Sequence, residues 1–249
     1  MCPTSSSDPM DPAAHGPGGD RKHELAGHLA EVRERIFKAC AASGRDASEI
    51  TLIAVTKTYP AEDVRLLNEL GLRHFGENRD QEAAPKAAAC AGLDITWHFV
   101  GQLQTRKAGS VAGYADVIHS VDRARLVSHL GTAARAAGRE IGCLVQVSID
   151  GNPARGGVPP AGVAQVAEAI EAEAGLVLGG VMAVAPIGME PIAAFEALRR
   201  CSDGVRGIRP EAGIISAGMS GDMREAIECG ATHLRIGTAL LGARKPPVL

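Results

Sequence analysis

The chain has 249 residues, of which 45% are hydrophobic and 22% charged, and its formal net charge is −3. This length is enough for one large α/β domain or two small ones, and the composition is ordinary for a globular protein. The small negative charge and the aromatic content of 3% argue against nucleic-acid binding, which needs a basic face and aromatic stacking platforms.

The cysteines and the apolar segments indicate the compartment. The six cysteines are scattered without CxxC spacing, so we expect free thiols in a reducing cytoplasm and no metal site. The N-terminus shows no charged region followed by an apolar run, and no apolar stretch is long enough to cross a bilayer. We therefore expect a cytoplasmic protein with neither a signal peptide nor a membrane segment.

Helix and strand patterns alternate along most of the chain. Residues 1–20 are rich in Pro, Gly, Ser and Asp, which predicts a disordered tail, with folded structure from Arg21. Helical spacing of apolar residues between Leu25 and Ala39 predicts a first helix. About eight strand patterns then follow, each with a helix pattern after it. The predicted strands are residues 50–56, 73–75, 95–100, 117–120, 141–149, 176–184, 214–216 and 233–236.

This alternation predicts the fold class. Repeated βα units favour a parallel sheet, and eight of them in roughly 230 residues are typical of a closed (β/α)8 TIM barrel. We predict one such domain over residues 21–249, with an extra N-terminal helix. A doubly wound open sheet is the alternative. That fold normally carries a GxGxxG turn after its first strand, where this chain has Thr56-Lys57-Thr58-Tyr59-Pro60.

Glycine-rich turns follow the last two predicted strands. Gly218-Met219-Ser220-Gly221 comes after the seventh, and Gly237-Thr238 comes after the eighth. Glycine lets a backbone approach a ligand closely, and N–H groups at the start of a helix attract anions. Because barrels commonly bind phosphate after strands 7 and 8, we expect a phosphate on Ser220, Gly237 and Thr238.

Two basic residues lie at or near predicted strand ends. Lys57 directly follows a buried apolar strand, and its amine is placed to form a Schiff base with a carbonyl compound. The alternative is a snorkelling or salt-bridged lysine. Arg235 alternates with apolar residues and is expected to point into the barrel. It would there form an ion pair with Glu77 or Asp222, or contact the ring nitrogen or phosphate of a ligand.

Other polar residues at strand ends are weaker candidates. Asn78 follows the second strand, and its amide is suited to bond a phenolate oxygen. His98 and His119 are interpreted as satisfied polar residues of the barrel mouth, and Met219 as pocket wall. A lysine amine, a phosphate site on two turns and a buried arginine together suggest pyridoxal 5'-phosphate (PLP) as the cofactor.

Six sequence blocks between Leu52 and Arg244 resemble the PLP homeostasis proteins. The blocks are LIAVTKTYP, HFGENRDQE, WHFVGQLQTRK, IHSVDR, GVMAVAP and ISAGMSGDMREAIECGATHLRIGTALLGAR, in that family's order and spacing. The resemblance implies a monomeric barrel related to the N-terminal domain of alanine racemases. It implies a Schiff base on Lys57 and Arg235 near the pyridine nitrogen. The other contacts that it implies are Ser220, Gly237 and Thr238 at the phosphate, Asn78 beside the cofactor, and Ser216 and Met219.

The same features bear on whether the protein is an enzyme. PLP accelerates amino-acid chemistry as an electron sink, and an arginine at the ring nitrogen weakens that sink by disfavouring protonation. Racemisation also needs an acid or base on each face of the substrate. The racemases supply one from a second domain, which we do not expect here, and Tyr59 and Tyr114 lie in no recognised catalytic motif.

We therefore expect a protein that binds and buffers PLP and delivers it to PLP-dependent apo-enzymes without turnover. This is also what the resemblance implies. A racemase-like PLP enzyme on the same barrel is the first alternative. An adaptor whose cofactor is vestigial or regulatory is the second.

Overall fold

The protein is a closed parallel β-barrel surrounded by helices. The computed structural model describes residues 17–152 and 156–242. In this part of the chain, eight strands pair in chain order and the first pairs with the last. The strands are β1 (Thr51–Val55), β2 (His74–Glu77), β3 (Thr96–Phe99), β4 (Val117–Val121), β5 (Ile141–Gln146), β6 (Leu176–Met182), β7 (Ile214–Ser216) and β8 (His233–Ile236). The predicted TIM barrel is confirmed, and the open doubly wound sheet is excluded.

Seven of the described α-helices lie between consecutive strands, one further helix precedes β1, and a short one follows β8. They are α1 (Pro17–Ala42), α2 (Ala61–Glu69), α3 (Asp80–Ala89), α4 (Ala108–Ala112), α5 (Ala124–Ala136), α6 (Val163–Glu171), α7 (Pro191–Ile208), α8 (Met223–Glu228) and α9 (Thr238–Leu241). None of the helices in residues 17–152 and 156–242 has both the length and the apolarity that a bilayer span requires.

Helix α1 is the predicted extra helix, and it begins earlier than expected. Its first residue is Pro17, ahead of the predicted start of folded structure at Arg21. Proline is a favoured first helical residue because its missing N–H would have no helical partner there. Residues 1–16, most of the segment predicted as a disordered tail, lie outside the described residues. So do residues 243–249, at the end of the predicted domain.

Polar contacts at both ends of α1 attach it to the barrel. Near its start, Arg21 pairs with the buried Asp63 of α2 at 2.7 Å and donates to the carbonyl of Leu241 at 3.1 Å. Just after its end, Arg45 donates to the carbonyls of Ile227 and Ala231. The helix is thereby held against α2, α8 and α9, beside the seam where β8 meets β1.

The barrel separates two kinds of packing. Strand faces that point outward pack apolar side chains such as Phe75, Phe99 and Ile118 against the helices. The inside of the barrel also holds buried polar side chains, as a hydrogen bond of 2.9 Å between His119 of β4 and Ser216 of β7 shows. These two strands are not neighbours, so their side chains can meet only across the barrel interior.

We expect Gly180→Ala to destabilise the barrel by about 3 kcal/mol or more. Gly180 has φ +145°, and a Cβ there would lie 2.0 Å from the carbonyl oxygen of Ile214 on the neighbouring strand. The matched control is Gly204→Ala inside α7, where a Cβ meets nothing within 4 Å. That change should raise stability by up to about 1 kcal/mol. Urea unfolding of both variants tests this, and equal stabilities would contradict it.

Candidate functional site

The predicted site residues lie in one sector of the barrel, at or near the carboxyl ends of adjacent strands. Strands β7, β8, β1 and β2 are consecutive around the barrel. Lys57 and Asn78 follow β1 and β2, Arg235 lies within β8, and Ser216 ends β7. Met219 and Ser220 lie in the turn after β7, and Gly237 and Thr238 follow β8. The carboxyl ends of barrel strands are where TIM-barrel proteins bind ligands.

Lys57 is half-buried and unpaired. Within the described part of the chain, its amine has neither a hydrogen-bond nor an ion-pair partner. The predicted alternative of a salt-bridged lysine is therefore not what the described residues show. The next residue, Thr58, has φ +69° and is the sole non-glycine residue in the described ranges with positive φ. A β-branched residue in this conformation is strained, and such strain often occurs at functional sites.

A second lysine near this sector is buried and fully paired. The ammonium of Lys86 lies 2.5 Å from Glu77 Oε1 and donates to the carbonyl of Thr56 at 2.7 Å. The Thr56 hydroxyl donates to the same carboxylate oxygen at 2.7 Å. Burial raises the pKa of Glu77, and the Lys86 ammonium opposes that shift. Because Lys86 neutralises Glu77, the carboxyl end of β1 is held in place while Lys57 remains free.

The turn after β7 requires glycine at its start. Gly218 has φ +89°, and a Cβ there would lie 2.7 Å from the Cβ of Ala226. The Gly218 carbonyl accepts from the N–H of Arg235 at 3.0 Å, and the Asp222 carboxylate accepts from the N–H of Met219 at 2.6 Å. These contacts fix the turn to β8 and to the start of α8.

The two turns leave backbone donors unused. No described residue accepts a hydrogen bond from the N–H groups of Ser220, Gly221, Gly237 or Thr238. Ser220 and Gly237 are partly exposed, and Gly221 and Thr238 are exposed. Unpaired N–H groups on adjacent turns are suited to bind an anion, as the sequence predicts for a phosphate.

Arg235 is buried inside the barrel without a carboxylate partner. Its guanidinium donates to the Ser216 hydroxyl at 2.7 Å and to the Ala183 carbonyl at 2.8 Å. Among the described residues, neither Glu77 nor Asp222 forms the ion pair considered from the sequence. Burial lowers the pKa of Arg235 to about 10, and Asp222 opposes the shift. Arg235 is therefore still a cation at neutral pH, with donors left for a ligand.

The sequence interpretation missed a set of histidines inside the barrel. His98 and His119, expected at the mouth, are buried in the interior and bond each other at 2.8 Å. His74 bonds His98 at 3.0 Å, and the His233 ring lies 6.2 Å from that of His98. His74, His98 and His119 each lie in a predicted strand beside large apolar residues, and this pattern could have indicated interior positions.

These histidines are neutral at physiological pH. Burial lowers the pKa of His98 and of His119 well below the ordinary value for histidine. Burial also lowers the pKa of His233 to about 4. Neutral imidazoles each offer one donor and one acceptor, so they can satisfy one another in the interior. Within the described ranges, no group of three or more His, Cys, Asp or Glu residues is arranged to hold a metal ion.

The comparisons with known proteins agree with this architecture. The family model described as the alanine racemase N-terminal domain matches residues 28–245. A pyridoxal phosphate homeostasis protein of Mycobacterium tuberculosis is 42% identical over 245 residues, covering 91% of this chain and 95% of the relative.

Two solved structures extend the comparison. PipY of Synechococcus elongatus, solved with PLP bound, is 33% identical with a TM-score of 0.76, covering 88% of this chain and all of PipY. An alanine racemase from Corynebacterium glutamicum is 15% identical with a TM-score of 0.66, covering 92% of this chain and 62% of the racemase. The racemase shares the fold.

The chain belongs to the alanine racemase N-terminal domain family and, within it, to the group of pyridoxal phosphate homeostasis proteins. The resemblance stated from the sequence is thereby confirmed.

We expect the free energy of unfolding to fall as pH decreases from 7 to 5. The unfolded chain protonates His98, His119 and His233 near pH 6.5, whereas their lowered pKa values keep them neutral in the fold. Each contributes up to about 1.4 kcal/mol per pH unit. Burial also lowers the pKa of His74, which acts in the same direction, whereas the raised pKa of Glu77 acts in the opposite direction.

Urea unfolding at constant ionic strength across this pH range measures the slope. His119→Asn should reduce it, and replacing the exposed His129 of α5 by Asn should leave it unchanged. A stability that is constant between pH 7 and pH 5 would show that the buried imidazoles do not control it.

Proposed function

We propose that this protein binds PLP, covalently held by Lys57, and acts in PLP homeostasis by buffering and delivering the cofactor without turning over amino acids. The observation that carries the proposal is the unpaired Lys57 amine in the same sector as two turns with unused N–H donors. PLP has an aldehyde and a phosphate, the two groups that this arrangement suits. The names of the relatives and the PLP in PipY support the same ligand.

Each group of the site has a proposed role. The Lys57 amine would condense with the aldehyde carbon, with loss of water to the solvent. The N–H groups of Ser220, Gly237 and Thr238 would hold the phosphate. The Arg235 guanidinium would donate to the ring nitrogen, and the amide of Asn78 would donate to the phenolate oxygen.

Two further residues would support this arrangement. The Ser216 hydroxyl accepts from Arg235 and so fixes the guanidinium. Met219 is exposed in the turn after β7 and would form part of the pocket wall.

The chemistry of the described residues favours a carrier over an enzyme. Bound PLP supplies an electron sink, which works best when its ring nitrogen is protonated. Arg235 is a cationic donor and would keep that nitrogen unprotonated. The Tyr59 hydroxyl is occupied by the Gly242 carbonyl at 2.8 Å, and burial raises the pKa of Tyr114, which makes it a poor base. The alternative, a racemase-like enzyme, is favoured by the fold shared with alanine racemase.

We further propose that the protein is a cytoplasmic monomer that gives PLP to apo-enzymes. The cysteines in the described ranges are Cys40, Cys90, Cys143, Cys201 and Cys229, all free thiols. Free thiols are typical of a reducing compartment such as the cytoplasm.

Purified protein incubated with PLP should show a near-ultraviolet to violet absorption band. Borohydride reduction followed by peptide mass mapping should place the pyridoxyl group on Lys57, because its amine is unpaired. Lys57→Ala should lose the band and the adduct. Lys38→Ala, which removes a lysine exposed by 71% on α1, should retain both. A wild-type protein without a band at excess PLP would overturn the proposed ligand.

The holoprotein should transfer PLP to an apo-enzyme but show almost no amino-acid turnover. Restored apo-enzyme activity measures transfer, and chiral chromatography of L- and D-alanine measures racemisation. We expect a rate at least about 1000-fold below the ~10 s⁻¹ that is typical of enzymes. A rate near that value, abolished in Lys57→Ala, would instead support the racemase-like alternative.

A further inference from the structure

A continuous chain of hydrogen bonds crosses the barrel interior and ends at Arg235. From Arg235, the Ser216 hydroxyl lies at 2.7 Å, and His119 Nδ1 lies 2.9 Å from that hydroxyl. His119 Nε2 lies 2.8 Å from His98 Nδ1, and His98 Nε2 lies 3.0 Å from His74 Nδ1. Every link is within hydrogen-bond distance, so these five side chains form one connected unit, called here the histidine chain.

The histidine chain connects the two ends of the barrel. His74 is the first residue of β2 and lines a cavity at the amino-terminal face with Phe37, Thr51 and Arg73. Arg235 lies near the carboxyl end of β8, next to the turns of the candidate site. The links between these ends, His98, His119 and Ser216, are each at most 2% exposed.

The direction of every hydrogen bond follows from Arg235. A guanidinium has no acceptor, so the Ser216 oxygen must accept from it. The Ser216 hydroxyl is then free to donate to His119 Nδ1, which leaves the proton of His119 on Nε2. That N–H donates to His98 Nδ1, and His98 in turn donates from Nε2 to His74 Nδ1. Both buried imidazoles are therefore Nε2–H tautomers.

The opposite direction would leave a buried donor unsatisfied. If each imidazole carried its proton on Nδ1, Ser216 would accept from both Arg235 and His119. Its hydroxyl proton would then have no acceptor among the described residues, since Arg235 and His119 are the hydrogen-bond partners of Ser216 there. An unsatisfied buried donor costs about 1–3 kcal/mol, which favours the first direction.

Neutral imidazoles are required for this pattern, and their surroundings favour them. The titratable and charged groups that act on His119 are His98, His233 and Arg235, and each of them disfavours its protonation. Those that act on His98 are His74 and His233. No carboxylate is among them, so nothing in this set compensates a positive charge on the buried rings.

We propose that His119 and His98 are positioning residues for Arg235, because their tautomers are coupled to the guanidinium through the Ser216 hydroxyl. This inference rests on the proposed function, because it takes bound PLP as the ligand that Arg235 contacts. His119 keeps the Ser216 hydroxyl turned away from Arg235, so the Ser216 oxygen faces it as an acceptor. His98 Nδ1 accepts from His119 Nε2–H and so stabilises the His119 tautomer that can do this.

The tautomers can be measured without any cofactor. Long-range ¹H–¹⁵N spectra of the PLP-free protein, labelled with ¹⁵N-histidine, should show His98 and His119 neutral and protonated on Nε2. Resonances are assigned with single His→Asn variants, and the exposed His129 serves as the solvent-exposed reference. Nδ1–H tautomers or charged rings at either position would overturn the proposal, whether or not PLP binds.

The link to the cofactor is tested with two substitutions of one residue. His119→Leu removes the acceptor of the Ser216 hydroxyl, whereas His119→Asn retains an amide oxygen near the position of Nδ1. We expect His119→Leu to bind PLP about tenfold more weakly and to shift its absorption band. His119→Asn should bind within about twofold of wild type without a shift.

The outcomes separate this inference from the proposed function. Equal effects of the Leu and Asn variants on affinity and band position would reduce His119 to a packing role and overturn the inference. Absence of PLP binding in the wild type, with Nε2–H tautomers still present, would refute the ligand while leaving the hydrogen-bond direction established. His74→Leu should alter the ¹⁵N shifts of His119, and unchanged shifts would disprove coupling along the histidine chain.

Discussion

The interior of this barrel is organised around a buried guanidinium that has no carboxylate partner in the described part of the chain. Placing a cation in a low-dielectric interior is costly unless its donors are satisfied. Here the partners of Arg235 are neutral oxygens, the hydroxyl of Ser216 and the carbonyl of Ala183. A carboxylate would neutralise the charge and hold the guanidinium to itself. Neutral acceptors hold the guanidinium in place and leave its charge available to a ligand.

This constraint accounts for the unusual polarity of the interior. TIM barrels are usually filled by Val, Ile and Leu, whereas here imidazoles occupy interior positions on β2, β3, β4 and β8. The apolar layer between strands and helices supplies the packing instead, with Phe75, Phe99 and Ile118 among its largest residues. The apolar layer between strands and helices therefore stabilises the fold, and the polar side chains inside the barrel orient Arg235.

The sequence predicted the parts of the molecule that depend on local pattern. The alternation of strand and helix patterns predicted the barrel, and glycine beside small polar residues predicted the two turns after β7 and β8. It did not predict the bond between His119 and Ser216, because these residues are 97 positions apart and meet only once the barrel closes. It likewise left open whether Lys57 is ion-paired, because the neutralisation of Glu77 by Lys86 depends on how α3 packs beside β1 and β2.

The two lysines in this sector show how one barrel mouth can hold an unpaired amine as well as a buried, paired carboxylate. Without Lys86, the buried carboxylate of Glu77 would lack a compensating positive charge. Because Glu77 is paired with Lys86 and both side chains are hydrogen-bonded to Thr56, the carboxylate does not need Lys57 as a counter-ion. Arg235, held as a donor, completes a site that would bind PLP through an amine, a cation and backbone N–H groups. That set includes no group positioned to protonate the ring nitrogen, which suits reversible storage of the cofactor better than carbanion chemistry.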